Sequence, residues 1–483
     1  MLFNSLDFAV FFPLVFVLYW LLNDRPLRWQ NLLIVVASYI FYGWWDWRFL
    51  ILILFSTVVD FTVGMQLDRT EDLTYRKYLL WISLVVNLGL LGFFKYYNFF
   101  VDSFADAIRF FGTSLDSYTL NIILPVGISF YTFQTLSYTI DVYQRRLKPS
   151  RNFVAFSAFV SFFPQLVAGP IERATHLIPQ FDRKRTFDPV LAADGLRQML
   201  WGFFKKMVIA DNCAKIANLV FDNYESFGGV YLVVGAVAFA FQIYGDFSGY
   251  SDIAIGSARL LGFDLMQNFN YPYFSRNVGE FWRNWHISLT TWFRDYVYIP
   301  LGGSRVGREK AIRNTLVVFV VSGFWHGANW TFIIWGLLNA LFFIPLLVTN
   351  QNRKHLETAG AGRVFPTARE LASMTLTFGL ITLTWVFFRS LSVTDAVKFL
   401  TQIISDPLGN RLPMYAIHNV LLVTILLLFM LSIEWFGRNG KHAFERLFLR
   451  RPRIIRWGVY SIVVFLIMMY SVNEETPFIY FQF

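Results

Sequence analysis

The sequence predicts an all-α protein that crosses a membrane many times. Of its 483 residues, 56% are hydrophobic and only 15% are charged, and the mean hydropathy is +0.47. Soluble globular chains carry about 25% charged residues, so a soluble fold is not expected. Apolar runs long enough to span a hydrocarbon core of about 30 Å recur along the chain, and we expect roughly eleven spans. Six of these runs are residues 8–22, 29–45, 48–65, 78–94, 417–436 and 457–472.

The chain is expected to form a single transmembrane domain over residues 1–483. No Pro/Gly/Ser-rich linker, low-complexity tract or internal repeat divides it. The first apolar run has no basic segment before it and no small-residue cleavage site after it, and further runs follow directly. We therefore interpret it as a retained first helix rather than a signal peptide.

The net charge of +10 is explained better by a membrane than by nucleic acid. The basic residues lie in short loops between apolar runs, and basic loops mark the cytoplasmic side of a membrane protein. The strongest case is the cation-rich loop, residues 438–456, with seven arginines and lysines against one glutamate. Counting crossings outward from this loop places both chain ends on the opposite face.

Two segments, residues 121–210 and 245–313, are too polar or too interrupted to cross a membrane directly. Such backbone is tolerated at membrane depth only where protein or a water-filled cavity satisfies its polar groups, so a functional site is expected there. In the second segment, Asp246 and Asp252 lie in an apolar, glycine-containing helix. An intramembrane carboxylate is often functional, but it can also pair with an arginine to hold helices together, and both interpretations stay open.

Residues 280–314 predict an interfacial helix followed by a basic turn. Aromatic residues alternate with arginines here, a pattern typical of helices at a membrane surface. The glycine-rich end, PLGGSRVGREK, brings Arg305, Arg308 and Lys310 together. These cations would suit an anionic ligand or an acidic protein surface. The alternative is the ordinary positive charge of a cytoplasmic loop.

One histidine, His326, lies in the run VVSGFWHGANWTFIIWGLLNAL, whose other residues predict a membrane-buried segment. Histidine accepts and returns protons near neutral pH, so a buried one beside a cavity is a candidate general base. Gly323 and Gly327 are expected to thin the helix around its ring. No metal site is expected, because the six histidines show neither HxxxH nor HExxH spacing and Cys213 is the single cysteine.

The motifs around two histidines resemble the membrane-bound O-acyltransferase family, in its bacterial branch that acetylates alginate and related polysaccharides. The similarity lies in FWRNWHISLTTWFRDYVYIPLGGSR, SGFWHGANWTFIIWGLLNAL, MLFNSLDFAVFFPLVFVLYW and PFIYFQF, and so extends over essentially the whole chain. It implies a ring of helices, with re-entrant and interfacial helices, around a central tunnel. It also implies that His326 of the WHG motif is catalytic and that His286 of the WHISL motif lines the same tunnel. The residues expected to contact substrates are Trp285, Trp325, Asn329, Asp246, Arg305 and Arg308.

The resemblance implies transfer of an acetyl group, or another acyl group, for O-acetylation of a polysaccharide similar to alginate. The donor would be a thioester, either acetyl-CoA or the phosphopantetheine of an acyl carrier protein, that docks at the cytoplasmic face near Arg305 and Arg308. His326 would deprotonate an acceptor hydroxyl, which then attacks the thioester carbonyl. No bound cofactor, metal or nucleic acid is expected. The family's setting implies the bacterial inner membrane, with both termini periplasmic.

A separate periplasmic partner is expected to complete the transfer to sugar. The chain has neither a GxSxG elbow nor a GDSL-like serine motif, so a serine-hydrolase site is not predicted within it. The expected partner is an SGNH-type O-acetyltransferase or another acceptor protein.

Other functions stay open from the sequence. Within the family, the chain could act on peptidoglycan or cellulose, or transfer D-alanine towards teichoic acid. From another class, a transporter or flippase would use His326, Asp246 and Asp252 as a proton relay. A catalytically silent scaffold is a third alternative, and it predicts that His326 can be replaced without consequence.

Overall fold

The computed structural model describes residues 1–112, 119–167, 169–305, 307–449, 451–472 and 478–479. All regular structure in these residues is helical, which confirms the predicted all-α class. Of the PFIYFQF motif, only Phe478 and Ile479 belong to the described residues.

The chain folds into two compact units. Unit 1 comprises Met1–Ala192 and Ser257–Met266, and unit 2 comprises Ala193–Gly256 and Gln267–Phe483. The prediction of one transmembrane domain over the whole chain stays a prediction.

Unit 1 contains nine complete helices among the described residues. Side-chain caps define several starts: Ser5 accepts a hydrogen bond from the Phe8 amide, and Asn152 accepts from Val154 and Ala155. A 3₁₀ turn at Trp47–Phe49 and a π-helical segment at Gly92–Tyr96 interrupt the apolar runs. The helices are α1 Leu6–Leu21, α2 Leu27–Asp46, α3 Leu50–Arg69, α4 Leu73–Leu91, α5 Tyr97–Phe110, α6 Ile128–Tyr143, α7 Phe153–Ser161, α8 Phe163–Leu166 and α9 Ala174–Phe181.

A buried carboxylate joins three helices of unit 1. Asp60 on α3 accepts hydrogen bonds from Ser83 and Asn87 on α4, at 2.5 and 2.9 Å, and from Thr139 on α6 at 3.0 Å. Thr135 also donates to the Asn87 side-chain oxygen at 3.2 Å. Hydrogen bonds of this kind satisfy polar groups where no water reaches, so the hydroxyl residues of α6 hold helices together.

Unit 2 contains most of the remaining helices. The paired helices α15 and α16 approach closely, since a side chain at Gly323 or Gly336 would collide with backbone of the opposite helix. A capping box of Thr367 and Glu370 begins α17. The helices, starting with two that cross the boundary between units, are α10 Pro189–Phe203, α12 Gly229–Leu260, α11 Asp211–Asp222, α13 Val278–Asn284, α14 Ile287–Phe293, α15 Arg308–His326, α16 Trp330–Val348, α17 Ala368–Arg389, α18 Val393–Ser405, α19 Met414–Gly437 and α20 Arg453–Tyr470.

Shorter helical segments complete the described structure. They are two 3₁₀ turns, Tyr224–Ser226 and Pro272–Phe274, and two π-helical segments, Phe204–Ala210 and Arg294–Tyr298.

Seven segments of the described chain are long and apolar enough to cross a membrane, which confirms a polytopic helical protein. Two of them contain two helices each, so the seven hold nine helices; α1 is a further, shorter apolar helix. Helix α15 is not among the seven, because charged residues occupy its first two turns. The seven are Leu27–Arg69, Leu73–Phe110, Gly229–Leu260, Trp330–Val348, Ala368–Arg389, Met414–Gly437 and Arg453–Tyr470.

A partly exposed histidine in unit 1 lies between two carboxylates. The Nδ1 atom of His176 is 2.8 Å from Oε2 of the buried Glu172, and its Nε2 atom is 3.6 Å from Oδ2 of Asp264. Hydrogen bonding to Asp264 and to Glu172 raises the pKa of His176 to about 10. A raised pKa means that the protonated ring stabilises the folded state fully below its ordinary pKa of 6.5, and that this contribution is lost as the pH rises towards 10.

We expect His176→Gln to lower the melting temperature of the detergent-solubilised protein most at about pH 6, and progressively less up to about pH 10. Thermal unfolding followed across this pH range measures the difference. His418→Gln, at an exposed position on α19, is the matched control and should show no such trend. A deficit of the His176 variant that is the same at every pH would contradict the assignment.

Candidate active site

His326 is the last residue of α15 and lies in an aromatic enclosure within unit 2. Its ring centroid is 5.0 Å from that of Trp325, 5.1 Å from Trp335 on α16 and 5.5 Å from Phe388 on α17. The side chain is 3% exposed. The carboxyl end of a helix carries a partial negative charge, which favours a positive charge on a nearby imidazole. The position therefore suits a group that gains a proton during a reaction.

The glycines beside His326 serve helix packing. A side chain at Gly327 would collide with the Phe332 ring, and one at Gly323 would collide with the Phe332 carbonyl oxygen. The sequence predicted that these glycines thin the helix around the histidine. In the structure, the space beside them is filled by α16, and this close approach brings Trp335 against the imidazole.

His286 lies between α13 and α14 in a constrained backbone conformation. Its φ of 43° is in the left-handed region, which non-glycine residues adopt only when their surroundings hold them there. The Asn268 amide donates to Ser251 at 3.1 Å, so its oxygen faces His286 Nδ1 at 3.0 Å and the Ser288 hydroxyl at 3.0 Å. Nδ1 therefore carries the proton and donates a hydrogen bond to the Asn268 oxygen, which leaves the lone pair on Nε2.

Burial keeps His286 neutral. The side chain is 1% exposed, and burial lowers the pKa of His286 to about 3. A neutral imidazole of fixed tautomer is a good hydrogen-bond acceptor but a weak base at neutral pH. Its surroundings thus differ from those of His326, which lies at a helix end.

Trp325 connects the two histidines. Its ring centroid is 6.1 Å from His286 and 5.0 Å from His326. Trp285 joins the same cluster through Trp385, at 5.1 Å, which in turn stacks on Trp335 at 5.5 Å. Four of the residues predicted from sequence, the two histidines and the two tryptophans beside them, are therefore brought together. Trp335, Phe388 and Asn268 were not predicted.

Asp246 and Asp252 form ion pairs with adjacent lysines. Lys206 is 2.8 Å from Asp246 and Lys205 is 2.7 Å from Asp252. Both lysines lie in the π-helical segment Phe204–Ala210 that continues α10, and both are buried. The sequence left open a pairing with arginine; the partners are lysines. Two adjacent lysines within the apolar run GFFKKMVIA were the available signal.

Three residues predicted to contact substrates are not part of the histidine cluster. Two of them lie far from His326, and the third makes hydrogen bonds within the protein. Arg305 and Arg308 are exposed at the beginning of α15. Because α15 has 19 residues, its beginning is about 27 Å from His326. The Asn329 side chain caps α16 by accepting from the Thr331 amide at 3.0 Å, and it donates to the Leu391 carbonyl at 3.0 Å. Their roles towards substrate stay predictions.

A cavity of about 80 Å³ lies elsewhere in unit 2, beside the cation-rich loop. Its lining includes Arg283 and Arg438, which donate to backbone carbonyls of residues 352–363. Ligand pockets usually measure about 300–1,000 Å³. The cavity is therefore too small for a thioester donor, and its arginines hold the loop 352–363 in place.

Comparison with known proteins identifies the family. The sequence profile of the membrane-bound O-acyltransferase (MBOAT) family matches residues 144–388, just over half of the chain. A probable alginate O-acetylase, AlgI, of Azotobacter vinelandii is 46% identical over 341 residues, which cover 70% of this chain and 66% of that protein. The protein of the same name from Pseudomonas putida is 36% identical over 507 aligned residues and covers 100% of both chains.

A third relative has another named acceptor. The peptidoglycan O-acetyltransferase of Helicobacter pylori is 38% identical over 431 residues, which cover 83% of this chain and 79% of that protein. Both histidine motifs lie within the matched region of the family. The chain therefore belongs to the MBOAT family and is a membrane-bound O-acyltransferase.

Proposed function

We propose that this enzyme moves an acetyl group from a cytoplasmic thioester through the membrane to a periplasmic acceptor, for O-acetylation of a polysaccharide similar to alginate. The observation that carries the proposal is the pair of histidines on either side of Trp325, one of fixed neutral tautomer and one at a helix end. Acetylation of alginate is the activity named for two of the relatives.

In the proposed mechanism, the two histidines have different roles. His286 accepts a hydrogen bond at Nε2 and orients the acceptor hydroxyl. His326 takes the proton from that hydroxyl as its oxygen attacks the thioester carbonyl. The carbon–sulfur bond then breaks, and the leaving thiolate takes the proton from His326. The helix dipole of α15 favours the transient imidazolium, and the aromatic residues around it exclude water.

The proposed donor is a substrate and not a bound cofactor. Acetyl-CoA and an acyl carrier protein both present a phosphopantetheine thioester, and both carry negative charge that the exposed Arg305 and Arg308 would attract. The proposed acceptor is an SGNH-type periplasmic O-acetyltransferase or another acceptor protein. The proposal includes the bacterial inner membrane, about eleven spans around a central tunnel and periplasmic termini.

The ion pairs of Asp246 and Asp252 count against a proton-coupled transporter. A relay needs carboxylates that pass protons along a pathway, whereas each of these two contacts a buried lysine at 2.7–2.8 Å, an arrangement that holds helices together. Among acyl transfers, peptidoglycan is the acceptor named for one relative, so the acceptor is the part of the proposal to test first.

Purified enzyme incubated with radiolabelled acetyl-CoA or acetylated acyl carrier protein tests the donor and the partner together. We expect label to reach the periplasmic partner, and then alginate, from one donor and only when the enzyme is present. Peptidoglycan fragments replace alginate in the control reaction. Solute exchange across vesicles without consumption of either thioester would instead support a transporter.

The two histidines should differ on substitution. A positioned base contributes about 10²- to 10⁴-fold in rate, or roughly 3–5 kcal/mol. We expect His326→Ala to keep expression and donor binding but to lose acyl transfer by this factor, and His286→Ala to keep measurable activity with a raised KM for the acceptor. Steady-state kinetics with the identified donor measure both.

His442→Ala is the matched control, because His442 is equally buried but its ring nitrogen contacts Asp194 at 3.1 Å, outside the aromatic enclosure. It should keep nearly normal kcat in the folded fraction. An active His326→Ala beside an inactive His286→Ala would exchange the proposed roles.

Replacing Arg305 and Arg308 together by alanine should raise the donor KM at low ionic strength and leave kcat unchanged. They lie about 27 Å from His326, too far to contact the reacting groups, so they can attract the donor but not assist proton transfer. We expect the KM difference from wild type to disappear at high salt. Arg451 and Arg453, exposed and in the cation-rich loop, are the control pair. A donor KM equal to that of wild type at low ionic strength in the Arg305 and Arg308 variant would assign both residues to topology alone.

A further inference from the structure

Two described residues far along the chain, Phe478 and Ile479, are buried in unit 2. Phe478 is 0% exposed and Ile479 is 2% exposed. The Ile479 amide donates a hydrogen bond to Asp246 Oδ2 at 2.6 Å. Asp246 is held in turn by Lys206, so the backbone of this short segment is fixed to a buried ion pair.

The Phe478 ring packs against aromatic residues of α12, one of which contacts His286. It lies 4.6 Å from the Tyr250 ring and 5.7 Å from the Phe247 ring on α12. Phe247 packs against the His286 imidazole, with ring centroids 4.6 Å apart and planes at 89°. One residue, Phe247, thus separates the Phe478 ring from a histidine of the site.

The His286 imidazole is held from two directions. Asn268 accepts from Nδ1 in the plane of the ring, and Phe247 lies edge to face against it. The hydrogen bond to Asn268 fixes the tautomer. Packing against Phe247 limits rotation of the imidazole about the axis of this hydrogen bond. The left-handed backbone conformation of His286 also persists only if tightly packed neighbours hold it in place. A gap behind Phe247 would let its ring move and relax this constraint.

We propose that the segment Phe478–Ile479 is a positioning element for His286, acting through Phe247 and anchored on Asp246. The ion pair of Asp246 then serves to anchor this segment and does not contact substrate. The consequence for catalysis rests on the proposed role of His286 in orienting the acceptor hydroxyl. The claim that Phe478 holds the His286 imidazole in place does not rest on that role.

Phe478→Ala in the full-length enzyme tests the proposal, with two readouts. The first is the rate of carbethoxylation of His286 by diethyl pyrocarbonate, measured by mass spectrometry relative to His442 in the same sample. The second is the pair of KM values, for the acceptor and for the donor. Phe399→Ala is the matched control: Phe399 is 1% exposed in unit 2 and stacks on Phe221 at 4.6 Å, away from both histidines.

We expect His286 to be labelled several times faster in Phe478→Ala than in wild type. Like His286→Ala, this variant should keep measurable activity with a raised KM for the acceptor, because a loosely held imidazole orients the acceptor hydroxyl less well. The donor KM should stay within about twofold, because binding of the thioester is not affected. The Phe399 control should change neither readout in its folded fraction. Equal effects of the two substitutions, or unchanged labelling of His286 in Phe478→Ala, would overturn the proposal.

Phe478→Leu decides the matter if the alanine variant does not fold, since leucine keeps most of the buried volume. Faster labelling of His286 in this variant supports the proposal, and labelling at the wild-type rate overturns it. A fully active His286→Ala enzyme would refute the role of His286 in the reaction. The labelling rates would still decide whether Phe478 positions its ring.

Discussion

Water is absent from the hydrocarbon core of a membrane, so every polar side chain placed there needs a partner within the protein. The described structure meets this constraint in three ways. Hydroxyl and amide groups surround Asp60 in unit 1, lysines pair with Asp246 and Asp252 in unit 2, and the Asn268 oxygen accepts a hydrogen bond from His286. The same constraint makes the site possible, because a side chain with a fixed partner has a fixed orientation and protonation state.

The buried charges of unit 2 depend on an irregularity of helix geometry. The π-helical segment Phe204–Ala210 holds two consecutive lysines whose ammonium groups reach different carboxylates. Lys206 also contacts Asp211 at 2.8 Å. Removing one partner of such a cluster would leave an uncompensated charge in a medium of low dielectric constant, at a cost of about 3–5 kcal/mol. The cluster therefore fixes how the helices around it pack.

The sequence predicted those features that depend on composition and local pattern. The all-α membrane class followed from the apolar runs, and the burial of His326 followed from its position within such a run. The partners of each polar group depend on residues distant in sequence, which no local pattern contains. The Asp246 partner lies 40 residues earlier, and Gly327 has a packing role that only the Phe332 ring explains. Arg305 and His326 were both expected to act on substrates, but the length of α15 lies between them.

Helix α15 separates an exposed, cationic end from a buried end. Its exposed first turn carries cations, its last residue is the buried His326, and about 27 Å of regular backbone lies between them. Side chains can change at the surface end without altering any contact of the imidazole, because they lie too far away to touch the aromatic residues around it. Substitutions can therefore accumulate at the exposed end of this helix while the packing around the imidazole at the other end stays unchanged. Such a separation lets the surface end of the helix vary without rebuilding the aromatic enclosure around the histidine.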